Sequence, residues 1–266
     1  MWLIIVLLVL VAMYLFMIAP RMIHKPDRSH LYGVHYAHRG LFDNATDAPE
    51  NSLKAFRKAV EAGYGIEFDV QLSSDDIPVV FHDATLERMC GIDGKVWEYT
   101  LEELQKMKLA DSDQTIPTLQ QVLETIGGKV PLIIEYKMDR ADTKVCVLGN
   151  QILETYEGPY CIESFHPLAV QWYRKNRPDV VRGQLSENYG KRGKKKVHLW
   201  IMTYLLTNFL TRPDFIAYNH EDASDLSRSL CRKMGALSVA YTIKNREQFE
   251  QAKKHFELFI FDSCRL

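Results

Sequence analysis

Nine short runs of mostly apolar, β-branched or aromatic residues recur between residues 33 and 262, and helix-like stretches separate nearly all of them. They fall at 33–38, 65–71, 78–82, 131–137, 160–165, 180–185, 214–218, 237–242 and 257–262. This alternation predicts one α/β domain whose parallel strands are joined by crossover helices. One gap breaks the pattern. Only Leu72-Ser73-Ser74-Asp75-Asp76-Ile77 separates the second run from the third, far short of the dozen or more residues a parallel crossover needs, so those two runs form an antiparallel hairpin. Setting the return strand aside leaves eight, which predicts a (β/α)8 TIM barrel with an extra hairpin strand after strand 2. The runner-up, an open doubly wound sheet, lacks the glycine-rich phosphate loop that such sheets carry after a strand.

Helix starts are legible between the runs. Asn51 or Ser52 can cap a helix carrying Leu53, Phe56 and Val60, which Gly63 ends. Thr100 precedes Leu101, Leu104 and Met107, Thr118 precedes Leu119, Val122 and Leu123, and Pro167 can open a helix containing Val170, Trp172 and Tyr173.

Charge is absent from the first 20 residues, which are 19 apolar side chains and Pro20, although the whole chain carries 33 basic and 34 acidic residues. At about 1.5 Å per residue the segment is long enough to cross a hydrocarbon core of roughly 30 Å. No Lys or Arg precedes it, as a cleavable secretory signal would require, so 1–20 reads as a transmembrane anchor, 21–32 as a juxtamembrane linker and 33–266 as the barrel domain. Arg21, Lys25 and Arg28 follow the anchor, and the positive-inside rule then expects a single-pass membrane protein with a cytoplasmic barrel domain. Cys90, Cys146, Cys161, Cys231 and Cys264 are odd in number and lack metal-ligand spacing, which suits a reducing compartment. A net charge of -1 excludes a bulk nucleic-acid binder.

Active sites of such barrels lie at the carboxyl ends of the strands. There the chain places His38-Arg39-Gly40, Glu67-Phe68-Asp69, His82-Asp83 and Glu135-Tyr136-Lys137. Glu67 and Asp69 share one strand face, as do Glu135 and Lys137. Three carboxylates converging in one mouth repel unless one is protonated or a cation joins them, and an all-oxygen donor set suits Mg²⁺, Ca²⁺ or Mn²⁺. The hairpin returns His82 level with Phe68 or Asp69, and His38 faces it, a pair suited to moving protons in both directions. Arg39 and Lys137 would hold an anion, most economically a phosphate ester. His24, His30, His35, His166, His198, His220 and His255 read individually as structural histidines.

In this order and spacing, His38-Arg39-Gly40, Pro49-Glu50-Asn51-Ser52, Glu67-Phe68-Asp69-Val70, Pro78-Val79-Val80-Phe81-His82-Asp83 and Glu135-Tyr136-Lys137 resemble the glycerophosphodiester phosphodiesterase family. Ile116-Pro117-Thr118-Leu119 and Ser164-Phe165 also match its pattern, and the resemblance runs from about Val34 to the C-terminus. It implies a metal-dependent hydrolase that cuts a glycerophosphodiester into an alcohol and glycerol 3-phosphate. Glu67, Asp69 and Glu135 would hold the metal, His38 and His82 would be the acid/base pair, and Arg39 and Lys137 would bind phosphate. Glu50 lies near the family's site, though an acid before a helix N-terminus also complements the helix dipole. Tyr241-Thr242 stands where the family usually has Trp-Thr and Phe261-Asp262 where it closes on Thr-Asp, so Tyr241 falls on the substrate side. The nucleophile is either water or the substrate's own glycerol 2-hydroxyl. Two alternatives stay open: a phospholipase C or D acting on intact or sphingoid lipids, and a non-catalytic, membrane-tethered phospholipid sensor.

One segment stands apart. The basic cluster 191–196 precedes a run at 197–210 that is apolar apart from His198, Thr203, Thr207 and Asn208. It reads equally as an interfacial element on an anionic leaflet, with a lysophospholipid as substrate, or as an outer barrel helix between strands six and seven.

Overall fold

β1 (Tyr36–His38) pairs in parallel with both β2 (Gly65–Leu72) and β9 (Leu258–Phe261), and that double pairing closes the sheet. The computed structural model describes residues 1–138 and 141–262. Around the barrel from β2 follow β4 (Leu132–Tyr136), β5 (Tyr160–Ser164), β6 (Arg182–Ser186), β7 (Phe215–Asn219) and β8 (Leu237–Ile243), all parallel. β3 (Pro78–Val80) runs antiparallel to β2 as an outer return strand, as the six-residue gap predicts.

Parity along each strand decides which side chains reach the mouth. Ile66, Phe68 and Val70 of β2 and Leu132, Ile134 and Tyr136 of β4 are buried in the outer layer between sheet and helices. Ile133 and Cys161 instead belong to the inner cluster with Leu31, Tyr36, Val181, Phe215 and Ile260. Glu67 and Asp69, Glu135, and Glu163 therefore point inward at the carboxyl ends. A one-residue slip of β2 would turn Phe68 into the mouth and both acids into the apolar layer, losing roughly 1.5–3 kcal/mol for each displaced apolar side chain.

The caps expected from sequence form. The Ser52 side chain accepts from Ala55 N at the start of helix Leu53–Glu61, and Thr118 with Gln121 makes a reciprocal box on Leu119–Ile126. Pro167 opens Pro167–Asn176. Between β3 and Leu119–Ile126 the chain builds a small excursion with its own core of Phe81, Leu86, Met89, Val96, Leu104 and Leu109.

The two apolar segments depart from expectation. The N-terminal helix covers Trp2–Ile18, 17 residues, and among the described residues no helix is long and apolar enough to cross a membrane. The expected span over 1–20 is shortened because its end belongs to the barrel: Ile18, Ala19 and Pro20 are buried, Asn208 Nδ2 donates to Ile18 O at 2.9 Å, and Arg212 Nη1 donates to Ala19 O at 2.8 Å. Residues 21–32 pack along the amino ends of the strands, with Arg21 N bonded to Pro213 O, Arg28 Nη1 to Asp214 O, and Leu31 buried in the inner cluster. The apolar run 197–210 lies between β6 and β7 but is not one helix. It breaks into Val197–Thr203 and Asn208–Thr211 because Leu205 adopts φ 56° and is fully buried. Cys90, Cys146, Cys161 and Cys231 are free thiols, and Cys264 lies outside the described residues.

Candidate active site

Asp69 and Glu135 are register partners across β2 and β4, and His38 and Glu67 are partners across β1 and β2. One oxygen from each of Glu67, Asp69 and Glu135 lies within 4.8 Å of the others, and all three residues are buried. Burial and the two neighbouring carboxylates push Glu67 well above the usual carboxylate range. Burial pushes Asp69 the same way, but Lys137, His82 and Arg39 outweigh it and hold Asp69 well below that range. The Lys137 ammonium stands 3.0 Å from Asp69 Oδ1 and 2.7 Å from Glu135 Oε1. Burial raises Glu135, and Lys137 offsets part of that rise. A buried cluster of three acids balanced by one lysine and one arginine has room for further positive charge, and three hard oxygen donors fit a divalent cation.

The histidines flank this cluster. His38 Nε2 is 3.8 Å from Glu67 Oε2 and its Nδ1 is 3.9 Å from Asp262 Oδ2, while burial lowers its pKa. The hairpin pairs Val70 with Val80 and bonds Phe81 N to Asp69 O at 3.0 Å, which carries His82 past Asp69 to the level of Phe68. His82 Nδ1 is 2.6 Å from Asp83 Oδ1, leaving Nε2 for proton transfer.

The His38-Arg39-Gly40 turn depends on backbone geometry. Arg39 has φ 56° and Gly40 φ 85°, and a Cβ on Gly40 would stand 2.9 Å from Ala55 C. That approach lets Arg39 N donate to Glu67 Oε2 at 3.2 Å while Arg39 Nε lies 3.6 Å from Asp69 Oδ2. Glu50 is enclosed by cations: Arg39 Nη1 and Arg88 Nη2 each donate to Oε1 at 2.7 Å, Arg88 Nη1 to Oε2 at 2.8 Å, and Asn44 Nδ2 to Oε2 at 3.0 Å. Its oxygens position Arg39 instead of facing the mouth. Tyr241 donates its hydroxyl to Ser186 O at 2.8 Å and meets Phe165 edge-on at 6.0 Å, on the β5–β6 side of the mouth.

Glu163 and Arg88 escaped the sequence reading, and Asn51 entered it only as a helix-cap candidate and part of a motif. Glu163 is the β5 partner of Glu135, buried, with Oε2 lacking a hydrogen bond, and burial together with Glu135 pushes it well above its usual range. The rule that found Glu67 and Glu135, an acid near the carboxyl end of an apolar strand, would have found it too. Asn51 Nδ2 donates to Asp69 Oδ2 at 3.0 Å, and Arg88 links Glu50 to Asp83, a contact that only the folded excursion creates.

Known proteins resemble this chain in sequence and in fold. Residues 38–255 match the model of the glycerophosphoryl diester phosphodiesterase family. The chain is 43% identical over 230 residues to a glycerophosphodiester phosphodiesterase of Caldanaerobacter subterraneus subsp. tengcongensis, covering 82% of this chain and 88% of that one. A crystal structure of the Thermotoga maritima glycerophosphodiester phosphodiesterase superposes with a TM-score of 0.66 at 25% identity, over 87% of this chain and 96% of the other. An Oleispira antarctica phosphodiesterase in complex with the product sn-glycerol-3-phosphate shares the fold at TM-score 0.69 and 23% identity, over 86% and 92%.

Proposed function

The chain belongs to the glycerophosphoryl diester phosphodiesterase family, and on that premise we propose that it is a metal-dependent hydrolase that works against a membrane surface. It is a glycerophosphodiester phosphodiesterase, releasing an alcohol and glycerol 3-phosphate. The observation that carries the metal dependence is the inward convergence of Glu67, Asp69 and Glu135 within 4.8 Å, flanked by His38 and His82. These three would hold Mg²⁺, Ca²⁺ or Mn²⁺, which when bound supplies Lewis-acid stabilisation of negative charge on phosphate.

The chain's own residues do the rest. Arg39, held by Glu50, and Lys137, held by Asp69 and Glu135, bind and orient the phosphate. One histidine takes a proton from the attacking hydroxyl and the other returns one to the leaving oxygen. Asp83 fixes the His82 ring through Nδ1, and Asp262 faces His38 Nδ1. Replacing His82 by Ala should lower kcat at least ~10²-fold and leave metal affinity nearly intact, while EDTA should stop turnover and Mg²⁺ or Ca²⁺ restore it. Near-normal turnover by the variant, or turnover indifferent to EDTA, refutes the assignment.

Membrane attachment is supported by the N-terminal helix, whose apolar residues from Met1 to Val11, with Met13, Leu15 and Phe16, stand exposed. From Tyr14 on the helix runs beside the barrel, so about 20 Å of it is free to embed, short of the roughly 30 Å hydrocarbon core. Arg21, Lys25 and Arg28 after it favour a cytoplasmic barrel. The basic loop contributes less charge than its composition suggests, since Lys191 and Arg192 pair with Asp222, and Arg192 and Lys194 with Glu187. A surface-bound enzyme of this kind meets lysophospholipids, which are themselves glycerophosphodiesters.

A further inference from the structure

A cleft of about 620 Å³ opens beside the carboxylate cluster and is continuous with it, because Glu135 and Lys137 line both. Away from those two residues its walls are largely apolar: Met138 after β4, Phe165 and Pro167 after β5, and Leu199, Ile201 and Met202 on helix Val197–Thr203. The volume lies within the roughly 300–1,000 Å³ usual for ligand sites. A glycerophosphodiester with a small head group has no apolar portion to fill such a wall.

The N-terminal helix shows which way this cleft faces. Helix Leu226–Lys233 starts beyond the carboxyl end of β7 and leads to the amino end of β8, so it runs from the mouth face to the opposite face. Tyr14 Oη lies 3.0 Å from Ser227 Oγ, and four residues later Cys231 Sγ donates to Ile18 O at 3.2 Å. The two helices therefore run parallel, and the exposed residues before Tyr14 project past the mouth face by about 20 Å. Leu226, at the mouth end of its helix, is 64% exposed, and Val197 and Trp200, on the helix that walls the cleft, are 75% and 57% exposed. Apolar anchor, apolar rim and cleft thus share the side of the molecule that bears the carboxylates.

Building on the hydrolase reading above, we propose that this cleft binds the single acyl chain of a monoacyl glycerophosphodiester, drawn from the bilayer against which the mouth rests. The glycerol and phosphate lie at Arg39, Lys137 and the carboxylates, and the chain runs between Phe165 and Leu199. Hydrolysis breaks the phosphorus–oxygen bond to the head-group alcohol; water supplies the hydroxyl to phosphorus and the proton to the departing oxygen, leaving a monoacylglycerol 3-phosphate.

The test uses the full chain in detergent micelles, with glycerophosphocholine and a series of lysophosphatidylcholines of increasing chain length kept below their micelle concentrations. KM should fall with each added methylene, by up to roughly fourfold per group that enters the cleft, until the cleft is full. Leu199→Asp, and Leu199→Trp as an uncharged cleft-filling variant, should flatten that dependence and leave kcat/KM for glycerophosphocholine within about twofold. Normal glycerophosphocholine turnover with no chain-length dependence, or with a dependence that both variants preserve, overturns the acyl site alone. Absence of turnover on both kinds of substrate overturns the hydrolase reading and the acyl site with it. Binding to phosphatidylcholine vesicles that weakens in Leu199→Asp while chain-length dependence stays intact shows that the cleft holds a bystander lipid, and it also overturns the proposal.

Discussion

Glu50→Gln tests whether charge pairing behind the site holds the mouth together. Glu50 is 4% exposed and takes three guanidinium hydrogen bonds from Arg39 and Arg88. Burial alone would raise its pKa, but Arg88, Arg39 and Asn44 outweigh burial and bring it from 4.5 to about 2. A depression of that size corresponds to about 3 kcal/mol in favour of the folded state at neutral pH. Because Arg88 is half-exposed and screened, about 2–3 kcal/mol is the expected loss in Glu50→Gln at pH 7. A folded-state pKa below the unfolded value gives stability that is complete above pH 4.5 and fades as pH falls toward 2. Roughly three quarters of the difference between wild type and variant should survive at pH 4 and about two fifths at pH 3. Urea unfolding of the full chain in micelles, followed by fluorescence of its four tryptophans, measures both numbers. A difference below about 0.5 kcal/mol at pH 7, or one unchanged between pH 7 and pH 3, refutes the reasoning, since a neutral amide would then hold the two arginines equally well.

Gly40→Ala should destabilise the fold by about 2–4 kcal/mol, combining positive-φ strain with the 2.9 Å approach to Ala55, and should reduce turnover by displacing Arg39; the same unfolding assay and steady-state kinetics read both effects. Asp69→Asn should weaken metal binding by more than the ~10–100-fold that follows loss of a supporting partner, measured by calorimetric titration with Mg²⁺ and Ca²⁺; unchanged affinity would place the cation elsewhere.

Much of the barrel was legible because strand parity and loop length are local properties. The nine apolar runs became nine strands, and the six-residue gap dictated an antiparallel return before any tertiary information was available. The inward placement of Glu67, Asp69 and Glu135 followed from the same period-two rule. Glu50 was harder to read, because an acid before a helix looks alike whether it complements the helix dipole or clamps two arginines, and Arg88 is 38 residues away in the chain. The apolar segments misled in length: hydropathy describes composition, but where a helix stops depends on what its last carbonyls find, here Asn208 and Arg212.

By itself, then, the order of residues determined the barrel, the hairpin and the set of acids and histidines that face one mouth, since these depend on periodicity and on the reach of short loops. Only the tertiary structure decided that Glu50 belongs to Arg39 and Arg88, and that the N-terminal helix leaves the barrel on the side of its mouth. Those features depend on packing between segments far apart in the chain. Two hydrogen bonds between residues 213 positions apart set the direction of the helix, and no local pattern encodes them.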